Sequence, residues 1–310
     1  MKAIVINQYG ESEELVKEEL EKPEIKANQL LIEMYATSIN PIDWKIRAGY
    51  MADSMQQDFP LILGWDAAGV VKEVGSDVEK FKVGDEVFAR PSLENGSYTE
   101  YLAVDENLVA LKPKNISFNE AAVTPLAGLT AWQCLVDFGK IKKGDKVLIH
   151  AGSGGVGSFA IQIAKSFGAY VLSTASASNE DFLREMGVDE FINYETTDFV
   201  EQAQDLDLVV DTMGGEILEK SLDTVKSGGR LVSIAGKPNK EKAEAKNITV
   251  KSLWLDPNGK QLAELGELME RGEVKAYIGH KFPFTAKGLR EAHDLSETHH
   301  AKGKIVIEIK

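Results

Sequence analysis

Cysteine is nearly absent from this sequence, since its 310 residues contain one, Cys134. A single cysteine forms neither an internal disulfide nor a zinc cluster of several thiolates. Any metal would therefore need histidine and carboxylate ligands, and the chain has five histidines.

Basic charge and long apolar runs are also scarce. The 35 basic residues stand against 49 acidic residues, and the formal net charge of −14 repels phosphate backbones and anionic lipid. No apolar run approaches the roughly 20 residues that span a bilayer. The first seven residues, MKAIVIN, run into acidic sequence without a signal-peptide pattern. We therefore expect a cytoplasmic protein with neither a nucleic-acid nor a membrane partner.

The remaining composition is that of a folded protein. Hydrophobic residues make up 43% and charged residues 27% of the chain, close to average globular usage and unlike disordered or collagenous chains. A length of 310 residues corresponds to roughly two domains.

The first hundred or so residues predict a β-rich domain. Short stretches that favour strands are separated by turn signals such as Gly75-Ser76. The stretch Pro41 to Ala48 predicts a short helix, because proline is favoured in a first turn and glycine, here Gly49, after the last. The predicted strands are Lys2 to Asn7, Leu30 to Tyr35, Ala67 to Val74, Asp85 to Ala89 and Thr99 to Val104.

The pattern changes after Lys112-Pro113-Lys114-Asn115. A capping box at Ser117 to Glu120 predicts the start of a helix. From Lys146 onward strands alternate with helices, which predicts a parallel, doubly wound sheet. The predicted strands are Val147 to His150, Tyr170 to Ser173, Phe191 to Asn193, Leu206 to Asp211 and Arg230 to Ala235. The predicted helices are Gly155 to Phe167, Asn179 to Met186 and Gly215 to Lys226. The tail, with a helix near Lys287 to Leu295 and a strand at Lys304 to Ile309, resembles the first half.

A glycine motif lies between the first strand and helix of this second half. It reads Gly152-Ser153-Gly154-Gly155-Val156-Gly157 and follows an apolar strand. In a G-x-G-x-x-G loop, the first glycine allows a tight turn, the second lets backbone N–H groups approach a pyrophosphate, and the third lets helix and strand pack closely. The motif therefore predicts a dinucleotide site.

The end of the second strand indicates which dinucleotide binds. An acidic residue that binds a ribose 2′-hydroxyl is expected there, but the sequence is Ser176-Ala177-Ser178-Asn179. Glu180 and Asp181 are predicted to belong to the next helix. Ser176 and Ser178 could donate to a 2′-phosphate, although Ser178 alone would also be explained as a helix cap. NADP is therefore favoured over NAD.

Ser153 also allows a second interpretation, because a hydrolase nucleophile elbow lies at the same kind of strand-to-helix turn. Asp211 with His280 or His293 could complete a triad in chain order. However, a nucleophile elbow has a glycine two residues before the serine, where this chain has Ala151. An elbow also does not require a glycine at position 157. The dinucleotide interpretation is preferred.

Together these motifs resemble the medium-chain dehydrogenase/reductase superfamily, and most closely its zinc-free NADPH:quinone oxidoreductase branch, which includes zeta-crystallin-like and enone-reducing enzymes. The resemblance spans nearly the whole chain. The matching stretches are Ser38-Ile-Asn40-Pro-Ile-Asp43-Trp-Lys45-Ile-Arg47-Ala-Gly49, Gly64-Trp-Asp66-Ala-Ala-Gly69, Val83-Gly84-Asp85, Pro125-Leu-Ala-Gly-Leu-Thr130-Ala-Trp132, the glycine motif, Val210-Asp211-Thr212 and Gly303-Lys304-Ile305-Val306.

The resemblance implies an α/β fold with two domains. A GroES-like, β-rich catalytic domain would comprise residues 1–115 and 278–310, and a Rossmann doubly wound parallel-sheet domain residues 116–277. The cofactor, NADPH, would bind in the cleft between them. A homodimer is also implied, with Asn247 to Leu255 as the candidate edge strand.

The same resemblance argues against a metal. Zinc-dependent members place a cysteine where this chain has Asn40 and a His-Glu pair where it has Trp65-Asp66, and the four-cysteine structural lobe is missing. The histidines offer no replacement site, because His299 and His300 are sequence neighbours and His150 begins the glycine loop. We therefore expect no metal.

The resemblance also implies roles for single residues. Asn40 and Thr130 are expected near the nicotinamide and the substrate carbonyl. Lys45 is a candidate donor of a proton or hydrogen bond, with a solvated surface lysine as the alternative. Tyr194 matches a position that contacts the adenosine phosphate. Further candidates are Lys304 for the cofactor and Trp44, Tyr50, Trp254 and Leu255 for the substrate pocket.

These observations predict an NADPH-dependent enzyme that transfers hydride to a small-molecule quinone or α,β-unsaturated carbonyl compound. Two alternatives stay open. One is a zinc-free aldehyde or ketone reductase, and the other is a nucleotide-binding regulatory or structural protein without turnover.

Overall fold

The computed structural model describes residues 1–53, 55, 58–94 and 96–310. The chain divides into two compact units. Unit 1 comprises residues 1–129, 257–271 and 276–310, and unit 2 comprises residues 130–256 and 272–275. No helix in the described ranges is both long enough and apolar enough to cross a membrane.

The strands and helices are numbered along the chain. The strands are β1 (Lys2–Ile6), β2 (Val16–Glu19), β3 (Gln29–Ile39), β4 (Leu61–Ile62), β5 (Ala67–Val74), β6 (Glu86–Ala89), β7 (Tyr101–Asp105), β8 (Val109–Leu111), β9 (Lys146–Ile149), β10 (Tyr170–Ala175), β11 (Glu190–Asn193), β12 (Leu206–Asp211), β13 (Val225–Ser233), β14 (Thr249–Ser252), β15 (Ile278–Pro283) and β16 (Lys304–Glu308). The helices are α1 (Pro41–Arg47), α2 (Phe118–Ala122), α3 (Pro125–Trp132), α4 (Gly155–Ser166), α5 (Glu180–Glu185), α6 (Phe199–Gln202), α7 (Gly215–Ser221), α8 (Lys240–Ala245), α9 (Gly259–Glu270) and α10 (Ala286–Glu297).

Unit 1 is built around a sheet that joins both ends of the chain. Its strand order is β15-β16-β3-β5-β6-β8, and β7 also pairs with β3. The long central strand β3 runs antiparallel to β5, β7 and β16, and its apolar residues Leu30, Ile32 and Met34 lie in the core. The C-terminal tail therefore completes the sheet of the first half.

A second, smaller sheet in unit 1 has the order β2-β1-β4. A hydrophobic cluster that includes Ile4, Ile6 and Trp65 contains residues from this sheet together with Ile46 of α1 and Leu289 of α10. This packing fixes α1, the helix that carries several predicted site residues.

Unit 2 contains a sheet of parallel strands in the order β11-β10-β9-β12-β13-β14. Counted along the chain, this order is 3-2-1-4-5-6, the arrangement that binds dinucleotides. Val147, Leu148 and Ile149 of β9 are fully buried, as expected for a strand covered on both faces. The order reverses between β9 and β12, and ligands bind such sheets outside the carboxyl ends of the strands at this point.

The compact units differ from the predicted domain boundaries at three segments, namely residues 116–129, 257–271 and 276–277. Helix α2 contacts β3 and β5, and Phe118 packs its ring 4.3 Å from that of Tyr35, measured between centroids. Helix α9 contacts β8; its Gly259 leaves no room for a Cβ, which would lie 2.6 Å from the carbonyl oxygen of Val109. Residues 116–129 and 257–271 therefore belong to unit 1.

One predicted helix is shorter than expected. The pattern from Gly215 to Lys226 predicts a continuous helix, but α7 ends at Ser221 and β13 begins at Val225. Val225 pairs with Leu206 and packs in the core, so these residues extend the sheet instead of the helix.

Candidate active site

Asn40 lies between β3 and α1 and is 2% exposed. Its side-chain nitrogen Nδ2 donates to Asp66 Oδ2 over 2.7 Å, and its Oδ1 accepts a hydrogen bond from Lys304 Nζ over 2.5 Å. These two contacts define which end of the amide is oxygen and which is nitrogen. An amide nitrogen carries two hydrogens, and the bond to Asp66 uses one of them.

Asp66 is the fully buried carboxylate that holds this group together. Its Oδ2 accepts from Ser38 Oγ over 2.5 Å, and its Oδ1 accepts from the backbone N–H of Leu126 over 2.6 Å. Lys304 Nζ lies 3.7 Å from Oδ2, so the carboxylate has a cationic partner. Burial lowers the pKa of Lys304, while Asp66 opposes that change. The pair is thus compensated in charge and hydrogen bonding, as a buried ion pair requires.

A second buried network lies under α1, and sequence reasoning did not find it. Asp43 Oδ2 accepts from the backbone N–H of Asn40 and from Tyr98 OH, each over 2.8 Å. Because the Tyr98 hydroxyl donates to Asp43, His293 Nε2, 3.0 Å from it, is the donor to the Tyr98 oxygen. His293 Nδ1 then faces Arg47 NH1 at 3.5 Å as an acceptor. The hydrogen bonds thus run from Arg47 through His293 and Tyr98 to Asp43 Oδ2, which also accepts from the backbone N–H of Asn40.

Desolvation dominates the electrostatics of this network. It raises the pKa of Asp43 to about 7 and lowers the pKa of His293 to about 3, an effect that the nearby Arg47 charge reinforces. His293 is therefore neutral near pH 7, whereas Asp43 is divided between its protonated and charged forms. Asp43 Oδ1 is buried and has no hydrogen-bond partner among the described residues, so nothing at this oxygen offsets the desolvation of the carboxylate.

The other candidates near α1 cluster around the ring of Trp44. Trp44 is 8% exposed and makes edge-to-face contacts with Tyr50, which is 75% exposed, and with His299. Lys45 is exposed, and its Nζ lies 5.5 Å from the centroid of the Trp44 ring. The structure thus groups Trp44, Tyr50 and Lys45, while Asn40 is bound in the Asp66 network.

In unit 2 the glycine motif has the geometry of a phosphate-binding turn. Ala151 adopts a left-handed conformation, with φ of 50°, immediately before Gly152. A Cβ on Gly157 would lie 2.3 Å from the carbonyl oxygen of Ala151, so only glycine lets α4 approach the loop. A Cβ on Gly154 would meet a single atom at 3.3 Å, which leaves room beside it. Within the described ranges, no side chain caps the first turn of α4, so its N–H groups can bind an anion.

Buried polar groups beside the glycine motif are hydrogen-bonded at the carboxyl ends of β9 and β12. Asp211 ends β12 and accepts from the backbone N–H groups of Met213 and Gly214, each over 3.1 Å. His150 is 1% exposed and contacts Ser221 Oγ at 2.9 Å and Thr174 Oγ1 at 3.2 Å. Burial lowers the pKa of His150 to about 4. These residues fix the carboxyl ends of the two strands at which the sheet order reverses.

The loop after β10 contains an acidic neighbour that the sequence analysis did not identify. Ser176 Oγ lies 3.2 Å from Ser178 Oγ and accepts from Asn179 Nδ2 over 3.0 Å. Between the two serines, the backbone N–H of Ala177 donates to Glu195 Oε2 over 3.2 Å. The Glu195 carboxylate therefore lies at this loop, although Glu195 belongs to the segment that follows β11.

The remaining predicted residues lie elsewhere in unit 2. Thr130 is 5% exposed on α3, while Tyr194, at 57%, and Trp254, at 60%, are largely exposed. Tyr194 directly precedes Glu195, and its N–H donates to the carbonyl oxygen of Ala175 over 3.3 Å. Leu255 is half-buried. In the described ranges, no group of three or more His, Cys, Asp or Glu side chains could hold a metal ion.

Two family models match the chain. One is described as an alcohol dehydrogenase GroES-like domain and matches residues 26–114, and the other is described as a zinc-binding dehydrogenase and matches residues 186–307. Among curated relatives, the chloroplastic NADPH-dependent alkenal/one oxidoreductase of Arabidopsis thaliana is 38% identical over 99% of this chain and 79% of its own length.

Solved structures are similar along the whole chain. The quinone oxidoreductase from Coxiella burnetii is 36% identical with a TM-score of 0.90 and covers 100% of this chain and 99% of its own. The Escherichia coli quinone oxidoreductase complexed with NADPH is 28% identical with a TM-score of 0.89 and covers 100% of both chains. The similarity therefore extends over both compact units.

Proposed function

Because the chain belongs to the medium-chain dehydrogenase/reductase superfamily, in its quinone oxidoreductase branch, we propose that it is an NADPH-dependent reductase. Its proposed substrates are quinones and α,β-unsaturated carbonyl compounds. The names of its relatives support both parts of the proposal. One is an NADPH-dependent alkenal/one oxidoreductase, and another is a quinone oxidoreductase that was solved with NADPH.

The glycine loop at the carboxyl end of β9 is the observation that carries the proposal. The residues fit a dinucleotide, because Gly157 allows the close helix approach, Gly154 leaves space, and the first N–H groups of α4 lack a side-chain cap among the described residues. Backbone N–H groups of Ser153 and of Gly155 to Gly157 would bind the pyrophosphate. Ser176 and Ser178 would donate to the 2′-phosphate.

When bound, NADPH supplies a hydride from its nicotinamide ring. The chain's own task is to orient the acceptor and to stabilise the negative charge that develops on its carbonyl oxygen. We propose Asn40 for this task, because Lys304 and Asp66 fix its amide and leave it a second Nδ2 hydrogen to donate. Thr130 is the second proposed donor, and Trp44, Tyr50, Trp254 and Leu255 are proposed to contact the substrate.

A screen of acceptors at fixed NADPH concentration tests the function. The panel contains simple quinones, enals and enones, with the corresponding saturated aldehydes and ketones as controls that lack the conjugated carbon. We expect NADPH oxidation that depends on the conjugated acceptors. Faster reduction of the saturated carbonyls would indicate an aldehyde or ketone reductase instead. Binding of NADPH without oxidation by any acceptor would indicate a nucleotide-binding protein without turnover.

Assembly and location are separate proposals. Strand β14 is an edge of the parallel sheet of unit 2, and we propose that the chain forms a homodimer through the segment 247–255. Analytical ultracentrifugation of the wild type tests this, since a monomer at micromolar concentration would contradict it. The cytoplasmic location expected from the sequence is tested by cell fractionation.

A further inference from the structure

We propose that Glu195 sets the cofactor preference of this protein by occupying the position where the 2′-phosphate of NADPH would bind, so that NADPH is only modestly preferred over NADH. The inference rests on the proposed NADPH-dependent function and names a residue that governs it. Glu195 Oε2 accepts a hydrogen bond from the backbone N–H of Ala177, in the loop after β10.

The register of the sheet explains why Glu195 reaches this loop. Strands β10 and β11 are parallel, and Ala175 pairs with Asn193 at their carboxyl ends. Two residues beyond that pair, Ala177 and Glu195 occupy equivalent positions in the two connections. The Glu195 loop is itself held, because the Glu195 N–H donates to Asn193 Oδ1 over 3.0 Å.

The place that Glu195 occupies is the one that distinguishes the two cofactors. In this sheet arrangement, the residue after the second strand contacts the ribose 2′ position, and here that strand is β10. A carboxylate there accepts a hydrogen bond from the 2′-hydroxyl of NADH, whereas it repels a 2′-phosphate of charge about −1.5 to −2. Glu195 can therefore accept the hydrogen bond of the ribose 2′-hydroxyl in place of an acidic residue at the end of β10.

The basic residue of the segment 170–198, which could offset this repulsion, already donates to other groups. Between Tyr170 and Asp198 the sequence contains one cationic side chain, Arg184. Its NH2 donates to Glu180 Oε1 over 3.1 Å, and its NH1 donates to the carbonyl oxygen of Asp189 over 3.2 Å. In this segment a 2′-phosphate would meet hydroxyl and backbone N–H donors together with the Glu195 carboxylate.

Binding measurements test the proposal without turnover. Dissociation constants for NADPH and NADH are measured by fluorescence titration, and those for 2′,5′-ADP and 5′-AMP by calorimetry, on the wild type, Glu195→Gln and Glu195→Ala. The Gln variant removes the charge alone, and the Ala variant also removes the acceptor of the Ala177 N–H. Glu241→Gln is the matched control, since Glu241 is an exposed residue of α8, which leads to β14 at the opposite edge of the sheet.

We expect both Glu195 variants to bind NADPH and 2′,5′-ADP roughly three- to thirtyfold more tightly, the range for removing one nearby like charge in a solvated site. NADH and 5′-AMP should bind equally well or more weakly, and the control should match the wild type. Unchanged or weaker binding of NADPH to Glu195→Gln would overturn the inference. If neither cofactor binds any of the proteins, both the proposed function and the inference fail. That outcome differs from unchanged NADPH binding to Glu195→Gln, which overturns the inference alone.

Discussion

The ammonium nitrogen of Lys304, near the C-terminus, lies 2.5 Å from Oδ1 of Asn40, which follows β3. Lys304 also donates to the carbonyl oxygen of Ile39 over 3.0 Å. Because a lysine can only donate, it holds the Asn40 amide with its oxygen toward the cation. The tail of the chain thus sets the orientation of a side chain that is 264 residues away in sequence.

This arrangement bears directly on metal binding. A divalent cation at Asn40 and Asp66 would stand next to the Lys304 ammonium, which lies 3.7 Å from Asp66 Oδ2, and would be repelled by it. Elemental analysis of the purified protein should therefore find no stoichiometric zinc, and chelators should leave turnover unchanged. One zinc per chain, lost together with activity and restored with it, would contradict this prediction.

The second prediction concerns Ser176. NADPH should bind the wild type more tightly than NADH, because the end of β10 presents Ser176 and Ser178 instead of a carboxylate of its own. Ser176→Glu should narrow or reverse the difference, since it adds a second negative charge beside the 2′ position. Fluorescence titrations with both cofactors measure the effect.

A matched control for that substitution is Ser227→Glu, because Ser227 is exposed near the amino end of β13, away from the carboxyl edge of the sheet. It should leave both dissociation constants unchanged. Equal or tighter binding of NADH by the wild type would contradict the predicted preference, whatever the variants do.

A third prediction follows from His150. Burial lowers its pKa from 6.5 to about 4, so the folded chain binds this proton less readily than the unfolded chain. The free energy of unfolding should therefore fall as the pH decreases from about 6.5 toward 4, by up to about 3 kcal/mol from this group. Above pH 6.5 its contribution is fully present.

His150→Gln should remove this pH dependence, because glutamine keeps a donor and an acceptor but does not titrate. Urea unfolding of both proteins at several pH values measures the difference. His293, with a pKa of about 3, acts in the same direction and Asp43, with a pKa of about 7, in the opposite one, but both are common to the two proteins. His300→Gln, which changes an exposed histidine, is the control. Parallel stability curves for the wild type and His150→Gln would refute the assignment.

Much of the fold is encoded in local sequence signals. The helix at Pro41–Arg47, the capping box of α2 at Ser117 and Glu120, and the strand Leu206–Asp211 are found where the sequence predicts them. Each rests on a proline, a cap or an apolar run within a few residues. The parallel sheet also follows from the alternation of such elements.

The parts that the sequence did not predict depend on contacts between distant residues. Tyr98 lies 55 positions from Asp43 and 195 positions from His293, yet their side chains share one chain of hydrogen bonds. Glu195 reaches Ala177 because of the pairing register between β10 and β11, which no local pattern specifies. Lys304 was predicted to contact the cofactor, whereas the structure places its ammonium on Asn40; its contact with the cofactor stays a prediction.

The last prediction concerns Asn40 itself. As hydride reaches the acceptor, negative charge grows on the carbonyl oxygen, so an oriented donor stabilises the transition state more than the ground state. Asn40→Ala should therefore lower kcat by roughly ten- to a thousandfold, the range for losing one such donor. The dissociation constant for NADPH should change little, because the phosphates of the cofactor are proposed to bind the glycine loop and the serines after β10 instead of Asn40.

Lys304→Met distinguishes the effect of the Asn40 donor from the effect of Lys304, which orients it. It keeps the Asn40 amide but removes the cation that orients it, so kcat should fall less than in Asn40→Ala, with KM for the acceptor nearly unchanged. Steady-state kinetics with one enone and one simple quinone measure both effects, and circular dichroism with NADPH titration checks that each variant is folded. The Thr130 hydroxyl, as a second donor, would reduce the loss in both variants. Full activity of Asn40→Ala on both conjugated acceptors would show that this amide does not stabilise the reacting oxygen.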